Sequence, residues 1–384
     1  MKIVARTYAG FEEILQSEIL KITNIVAVIE RRAVSFEGSK SDVYKVNLWS
    51  RFAIDVLIPI QSFRAYDEED LYKNSYQINW NDYLSVDQTL SISSIVHSRF
   101  FNHSKYAALK VKDAIVDYFK KQTGKRPNID REDPDISLVV RISDKNVTLL
   151  LNTSGQPLFK RGYRTKSVEA PINEILAAGI IEISRWDSKT AFIDPMCGSG
   201  TFLCEAVMKA NNIAPGLLRK TFCFEKANDF DAEIWGKIKE KAKNSIISSK
   251  TSIYGYDINS KSISYSLNNI KNIQAEYDVI LECSDFFNLQ KPTEKGVLVL
   301  NPPYDIRMKN QDIINFYANI GTRLKHFWEN YDAWILSGNT HAIKNLGLRP
   351  KHKRTLFNGP LECKLIHLPI YKGSLKAKKS MSSK

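Results

Sequence analysis

The chain has no run of about 18 uncharged apolar residues, so no membrane-spanning helix is expected. Its first residues, Met1-Lys2-Ile3-Val4-Ala5-Arg6, lack the apolar core of a signal peptide. Cysteine is scarce: five residues in 384, at 197, 204, 223, 283 and 363, with no Cys-x-x-Cys pair. That disfavours a disulfide framework and a zinc knuckle, and it suits a reducing cytoplasm. The six histidines are scattered, with no His-Glu-x-x-His, so zinc catalysis is not expected and no metal site is assigned. There is no Walker loop and no internal repeat.

Hydrophobic residues make 43% and charged residues 25% of the chain, as in an ordinary folded protein of two or three domains. The net charge of +13 is unevenly spread. Residues 1–155 carry 21 basic and 20 acidic side chains, residues 156–384 carry 34 and 22. Positions 97–126 hold eight basic and two acidic residues, and positions 349–384 hold ten and one. Two such clusters favour a polyanion partner, most simply nucleic acid.

Hydrophobic spacing predicts a strand at Lys2–Arg6, a helix carrying Phe11, Ile14, Leu15, Ile19 and Ile22, and strands at Val26–Ile29 and Ala33–Phe36. A helix around Asp42–Ser50, a strand at Ile54–Ile60 and a loop or short helix over 65–80 follow. Next come a strand at Thr89–Val96, a helix over Ser104–Lys120, and a hairpin of residues 136–142 with Val147–Leu151. The helix carries Ala108, Val111, Ile115, Tyr118 and Phe119 on one side, with Lys105, Lys110 and Lys112 elsewhere. Beyond the basic stretch Arg161-Gly162-Tyr163-Arg164 the pattern becomes βαβ alternation. Strands are expected at Ala191–Ile193, Ser252–Tyr256, Asp278–Glu282, Val297–Leu300 and Ala333–Leu336. Helices are expected at Ala170–Ser184, Thr201–Asn211, Lys261–Ile270, Asp312–Phe327 and His341–Leu346. This is an α/β protein with a parallel sheet and helices on both faces. Asn358-Gly359 between apolar runs predicts a closing antiparallel hairpin.

Four stretches at predicted strand ends carry chemistry. The first is Asp194-Pro195-Met196-Cys197-Gly198-Ser199-Gly200-Thr201. Glycines at a βα turn let a ligand approach the backbone. No lysine follows, and position 203 is Leu203 rather than the glycine of a dinucleotide fingerprint, so an adenosyl ligand without phosphates suits the turn better. A plain turn of small residues is the alternative. The second is Asp257-Ile258, where an acid at a strand end can accept both ribose hydroxyls. Its distance from the first loop makes residues 209–250 an insertion. The third is Asp285-Phe286: the acid can accept from an adenine amino group with the phenyl ring beside it, or it can simply cap a helix.

The fourth, Asn301-Pro302-Pro303-Tyr304, is the most specific. Two prolines stiffen the loop and remove N–H donors. The Asn301 side-chain oxygen and the Pro302 carbonyl can accept both hydrogens of an amino group on an sp² ring. Gripping both N–H bonds out of plane localises the nitrogen lone pair and aims it at an electrophilic methyl. Tyr304 offers a face for stacking an unpaired base. Cys197, beside a glycine turn, reads as a small buried cysteine rather than a nucleophile.

In this order the four stretches resemble the class I S-adenosylmethionine-dependent methyltransferases, of the branch that methylates exocyclic amines. The preceding α+β module resembles a THUMP domain in Ser98-Arg99-Phe100, the Lys105–Lys120 helix and Leu149-Leu150-Leu151-Asn152-Thr153-Ser154-Gly155. With Arg161-Gly162-Tyr163-Arg164, Ala170-Pro171-Ile172, Glu174, Ala177 and Ala178, the whole is similar to the THUMP-containing RNA guanine-N2 methyltransferases, the bacterial 23S ribosomal RNA enzymes above all. The similarity runs from Val4-Ala5-Arg6 to Asn358-Gly359-Pro360-Leu361-Glu362-Cys363. After the clamp this chain has Asp305-Ile306-Arg307 where relatives often have Gly-Glu-Arg. Some relatives carry a second fused methyltransferase domain, for which this chain is too short.

The resemblance implies a Rossmann-like seven-stranded methyltransferase sheet, parallel with an antiparallel final hairpin, behind a ferredoxin-like and THUMP module. The expected domains are a ferredoxin-like segment at 1–50, a THUMP RNA-binding domain at 51–155, a methyltransferase domain at 156–371 and a disordered basic tail at 372–384. It implies S-adenosylmethionine as cofactor, held by Asp194, Pro195, Gly198, Gly200, Thr201, Asp257, Ile258, Asp285 and Phe286. Asn301, Pro302, Pro303 and Tyr304 would clamp the target base, and Arg99, Lys105, Lys110, Lys112, Arg161 and Arg164 would hold structured RNA. The expected activity is methylation of a guanosine N2 amine, in ribosomal or else transfer RNA, by a cytoplasmic monomer with no membrane partner. A non-catalytic RNA-binding or assembly factor is the alternative from another class.

Overall fold

The computed structural model describes residues 1–168, 171–274, 278–304 and 310–371. The expectations for Ala170, for Asp305-Ile306-Arg307 and for the tail 372–384 lie outside the described residues. No helix among the described residues is long and apolar enough to cross a membrane. The chain forms two compact units, one of residues 1–160 with 214–244, the other of residues 161–213 with 245–384.

The first unit runs β1 (Lys2–Arg6), α1 (Glu12–Thr23), β2 (Val28–Glu30), β3 (Ala33–Glu37), α2 (Lys40–Trp49), β4 (Asp55–Arg64), α3 (Glu68–Tyr76), β5 (Leu90–His97), α4 (Ser104–Thr123), β6 (Ile136–Ser143) and β7 (Asn146–Asn152). Its seven strands form one sheet in the order β2-β3-β1-β4-β7-β6-β5. The segments expected as separate domains at 1–50 and 51–155 therefore share a sheet, because β4 pairs with β1 on one edge and β7 on the other. The β4–β7 register slips between Pro59 and Gln61, at a proline that has no N–H to give. Helix α4 buries Ala107, Val111, Ala114, Ile115 and Phe119, a stripe rotated slightly from the expected one.

Between α6 (Thr201–Ala210) and β9 (Ile253–Asp257) of the second unit, the predicted insertion contributes α7 (Ala232–Asn244), a helix the sequence reading did not assign. Residues 214–244 belong to the first unit. There Phe224 stacks on Tyr44 with ring centroids 4.4 Å apart, and Trp235 meets Phe224 edge-on. Arg219 donates to the carbonyls of Ser154, Gln156, Pro157 and Lys160. The insertion folds as it does because its aromatic residues find a buried partner in α2.

The rest of the second unit is α5 (Glu174–Ile183), β8 (Ala191–Asp194), α8 (Ser260–Lys271), β10 (Val279–Cys283), β11 (Gly296–Leu300), α9 (Asn310–Phe327), β12 (Tyr331–Ser337), β13 (His352–Asn358) and β14 (Leu361–Pro369). The sheet order is β10-β9-β8-β11-β12-β14-β13. Strands β10 to β12 run parallel, while β14 is antiparallel to both β12 and β13. This is the seven-stranded sheet with a final hairpin that the βαβ pattern and Asn358-Gly359 imply. The central strands β8 and β11 are buried along their whole length, as a sheet covered on both faces requires. Helix α5 starts at Glu174 rather than near residue 170, because the Asn173 side chain accepts the N–H groups of Ile175 and Leu176. The expected helix His341–Leu346 is a short 3₁₀ turn, Ala342–Leu346, pressed onto α9.

That contact depends on Gly321. A Cβ there would lie 1.7 Å from the Leu346 carbonyl oxygen, a backbone atom that cannot swing away. Gly321→Ala is expected to cost about 2–3 kcal/mol by overpacking and to lower Tm by roughly 5 °C. Thermal unfolding checks this, and an unchanged Tm would refute the close approach.

Candidate active site

Parallel strands in an open α/β sheet leave their ligand crevice at the carboxyl ends, where the strand order reverses. Here β8 sits beside both β9 and β11, so the reversal falls between β8 and β11. All four motif loops leave the sheet at that edge and line one cavity of about 1060 Å³. Asp194, Pro195, Gly198, Thr201, Asp257, Ile258, Asp285, Phe286, Asn301, Pro302, Pro303 and Tyr304 all reach it. Gly200 does not: its Cα faces α8, where an added Cβ would meet Ser266 at 2.9 Å.

The glycine loop is held by backbone geometry. Gly198 and Gly200 have φ of +55° and +79°, a region costly to any residue with a Cβ. The Cys197 N–H donates to the Tyr256 carbonyl at 2.8 Å, and the Gly198 N–H donates to the Asp257 carboxylate at 2.9 Å. The other Asp257 oxygen accepts the Asn259 N–H. Asp257 is thus oriented by two backbone donors, and each oxygen keeps a lone pair for a ligand hydroxyl. Asp194 is buried and accepts the Met196 N–H at 3.3 Å. Burial pushes its carboxyl well above the usual range, and the Asp257 charge adds to the rise against that hydrogen bond. Burial likewise keeps the Cys197 thiol protonated, which agrees with reading it as a packed cysteine.

Asp285 accepts the Phe287 N–H at 3.0 Å, so it does cap a turn, and it faces the cavity as well. Phe286 is almost wholly buried over Trp328, while the partly buried Phe287 packs edge-on against it and also lines the cavity. At the clamp, the Tyr304 hydroxyl donates to the Asn301 side-chain oxygen. Burial drives the Tyr304 phenol far above its ordinary pKa, so it remains a donor. Beneath the loop, the Tyr317 hydroxyl lies 3.5 Å from the Pro303 carbonyl and 2.6 Å from the Ser337 hydroxyl.

The lining holds the carboxyl groups of Asp194, Asp257 and Asp285 and, among the described residues, no lysine or arginine. In a chain of net charge +13 such a cavity suits a cationic adenosyl ligand and offers no counter-charge to phosphates. The residues therefore fit a sulfonium donor. No group of three or more His, Cys, Asp or Glu among the described residues could hold a metal ion.

The sequence reading missed Val168, Pro171, Phe287, Asn339, His341 and Leu361, which also line the cavity. For Asn339 and His341 a signal existed, since they follow a fifth parallel strand at the same edge. Of the six residues expected to meet RNA, Arg99 is exposed and paired with Asp144, Lys105 is exposed, and Lys110 and Lys112 are half-buried. Arg161 is a correction: its side chain is 1% exposed and ion-paired to Glu205 of α6, so no RNA reaches it. Arg164 is largely committed too, bonded to Glu174, Ser199, Thr201 and the Ile172 carbonyl.

Comparison with known proteins identifies the family. The family pattern "RMKL-like, methyltransferase domain" (UPF0020) matches residues 161–367. The THUMP domain matches residues 65–152 and the RlmL ferredoxin-like domain residues 2–57. The ribosomal RNA large subunit methyltransferase K/L of Aliivibrio fischeri is 35% identical over 369 residues, covering 94% of this chain and 52% of that protein. The chain thus spans about half the length of the K/L relatives it matches. A Synechocystis protein, slr0064, named provisionally as an RNA methyltransferase, is 33% identical and matches over 94% of this chain and 95% of its own length. Among solved structures, SMU.472, determined with S-adenosylhomocysteine (SAH), superposes with a TM-score of 0.85 at 27% identity, covering 97% of this chain and 99% of that one. The chain belongs to the UPF0020 family of RMKL-like, S-adenosylmethionine-dependent methyltransferases, with THUMP and RlmL-type ferredoxin-like domains ahead of the methyltransferase domain.

Proposed function

We propose that the protein methylates the exocyclic N2 amine of a guanosine in large-subunit ribosomal RNA, acting in the cytoplasm. The observation that carries the reading is the meeting of the Asn301–Tyr304 clamp and the acidic glycine-loop end in one cavity. The similarity to large-subunit methyltransferases K/L supports the choice of RNA. Bound there, S-adenosylmethionine supplies an activated methyl group. Asp194, Pro195, Gly198 and Thr201 shape its seat, with Gly200 setting the turn from behind. Asp257 and Ile258 meet the ribose side, Asp285 and Phe286 the adenine side.

Asn301 and the Pro302 carbonyl accept the two hydrogens of the target amine, Pro303 stiffens the loop, and Tyr304 stacks the base. Rate comes from proximity and orientation, since the donor is already electrophilic. Residues 1–50 and 51–155 form the RNA-holding part, with Arg99, Lys105, Lys110 and Lys112 as phosphate contacts. Residues 156–371, less the insertion at 214–244, form the catalytic part.

Mass spectrometry of nucleosides from ribosomal and transfer RNA, from cells with and without the gene, tests this. The expected result is loss of N2-methylguanosine from large-subunit RNA alone. Loss from transfer RNA would overturn the choice of RNA, loss of a methyladenosine the choice of base, and no change at all the assignment as an enzyme.

A further inference from the structure

We infer that Arg164 is a positioning residue for the methyl donor: its guanidinium fixes the Cys197–Thr201 turn in its binding shape instead of meeting RNA. The inference rests on reading that turn as the donor's seat. Arg164 Nε donates to Glu174 at 2.8 Å, Nη1 to the Ser199 hydroxyl at 3.3 Å, and Nη2 to the Thr201 hydroxyl at 2.8 Å and the Ile172 carbonyl at 3.2 Å. Four of its five N–H groups are thereby used. Its side chain is 18% exposed, whereas that of Arg99 is 85% exposed.

The turn has reason to need a clasp. Ser199 stands between two left-handed glycines, and glycine has little conformational preference of its own. From the other side, Asn269 of α8 donates to the Ser199 carbonyl and to the Lys166 carbonyl, both at 2.9 Å, and its side-chain oxygen accepts the Thr165 N–H. Ser266 donates to the Gly198 carbonyl at 2.8 Å. The turn is thus held between residues 164–166 and α8. Three of the four residues Arg164 holds, Ile172, Ser199 and Thr201, line the cavity. A planar fork can reach two hydroxyls, a carboxylate and a carbonyl at once, which an ammonium cannot.

The test uses the full chain and SAH as the probe. Arg164→Met and Arg164→Lys are each expected to weaken SAH binding by calorimetry about tenfold. KM for the donor should rise by a similar factor, with kcat at saturating donor within about threefold and RNA affinity, measured without donor, within about twofold. A merely structural role would lower RNA affinity and donor affinity together. Unchanged SAH affinity in Arg164→Met overturns the inference, as does a loss of RNA affinity with donor affinity kept. Should Arg164→Met fail to fold, Thr201→Val removes one receiving hydroxyl and leaves the Glu174 pair. It is expected to weaken SAH about threefold, and no change there is equally fatal. Failure of the unmodified chain to bind SAH would instead sink the donor-site reading.

Discussion

Asn301→Ala is expected to lower the rate of methyl transfer by about three orders of magnitude and to leave donor affinity unchanged. That magnitude is the upper range for removing one preorganised hydrogen-bonding group from a reacting atom. The variant takes away the carboxamide oxygen that now accepts the Tyr304 hydroxyl. It spares the rest of the loop, because Pro302 is buried and the Tyr317–Ser337 hydroxyl pair stays beneath the Pro303 carbonyl. It also spares Asp257, whose orientation comes from the Gly198 and Asn259 amides. Asn301→Asp keeps an acceptor oxygen at the same place and is expected to retain more activity than the alanine variant. Single-turnover transfer from labelled donor gives the rate, and calorimetry with SAH gives the affinity. Wild-type transfer by Asn301→Ala would remove the clamp from the mechanism.

The position of this site was legible because the architecture leaves little choice. Apolar runs such as Val297–Leu300 mark buried parallel strands, and in a parallel sheet every strand's carboxyl end lies on one edge. Motifs at four strand ends must then meet, as the shared cavity lining confirms. What local pattern could not reveal is pairing between distant segments. Nothing in β4 announces that it hydrogen-bonds to β1 and to β7 and so places the strands of residues 1–50 and 51–155 in one sheet. The aromatic residues of 222–235 look like those of any insertion until Tyr44 appears as their stacking partner. The basic stretch at 161–164 misled for the same reason. A run of arginines reads as surface because its acidic partners, Glu174 and Glu205, lie 10 and 44 residues further on, in helices α5 and α6.

Arg161→Met should cost about 3–5 kcal/mol, the range found when one member of a buried ion pair is removed. The Arg161 and Glu205 side chains are 1% and 0% exposed, with Nε 3.4 Å from the carboxylate. The Tyr163 hydroxyl donates to the same oxygen at 3.3 Å. Methionine fills much of the arginine's volume but leaves the Glu205 charge in a site that water does not reach. The Coulombic gain of the pair then vanishes while the desolvation cost of the carboxylate stays. A Tm lower by roughly 10 °C is the expected readout. The double variant Arg161→Met with Glu205→Met removes both charges and should recover at least about half of the loss, because an apolar replacement of a buried pair is often neutral. Since Glu205 sits one turn into α6, the helix that opens at Thr201 beside the glycine loop, donor affinity should fall with stability in the single variant and return with it in the double. A single variant that kept its Tm but bound RNA more weakly would restore Arg161 to the RNA surface and contradict its burial.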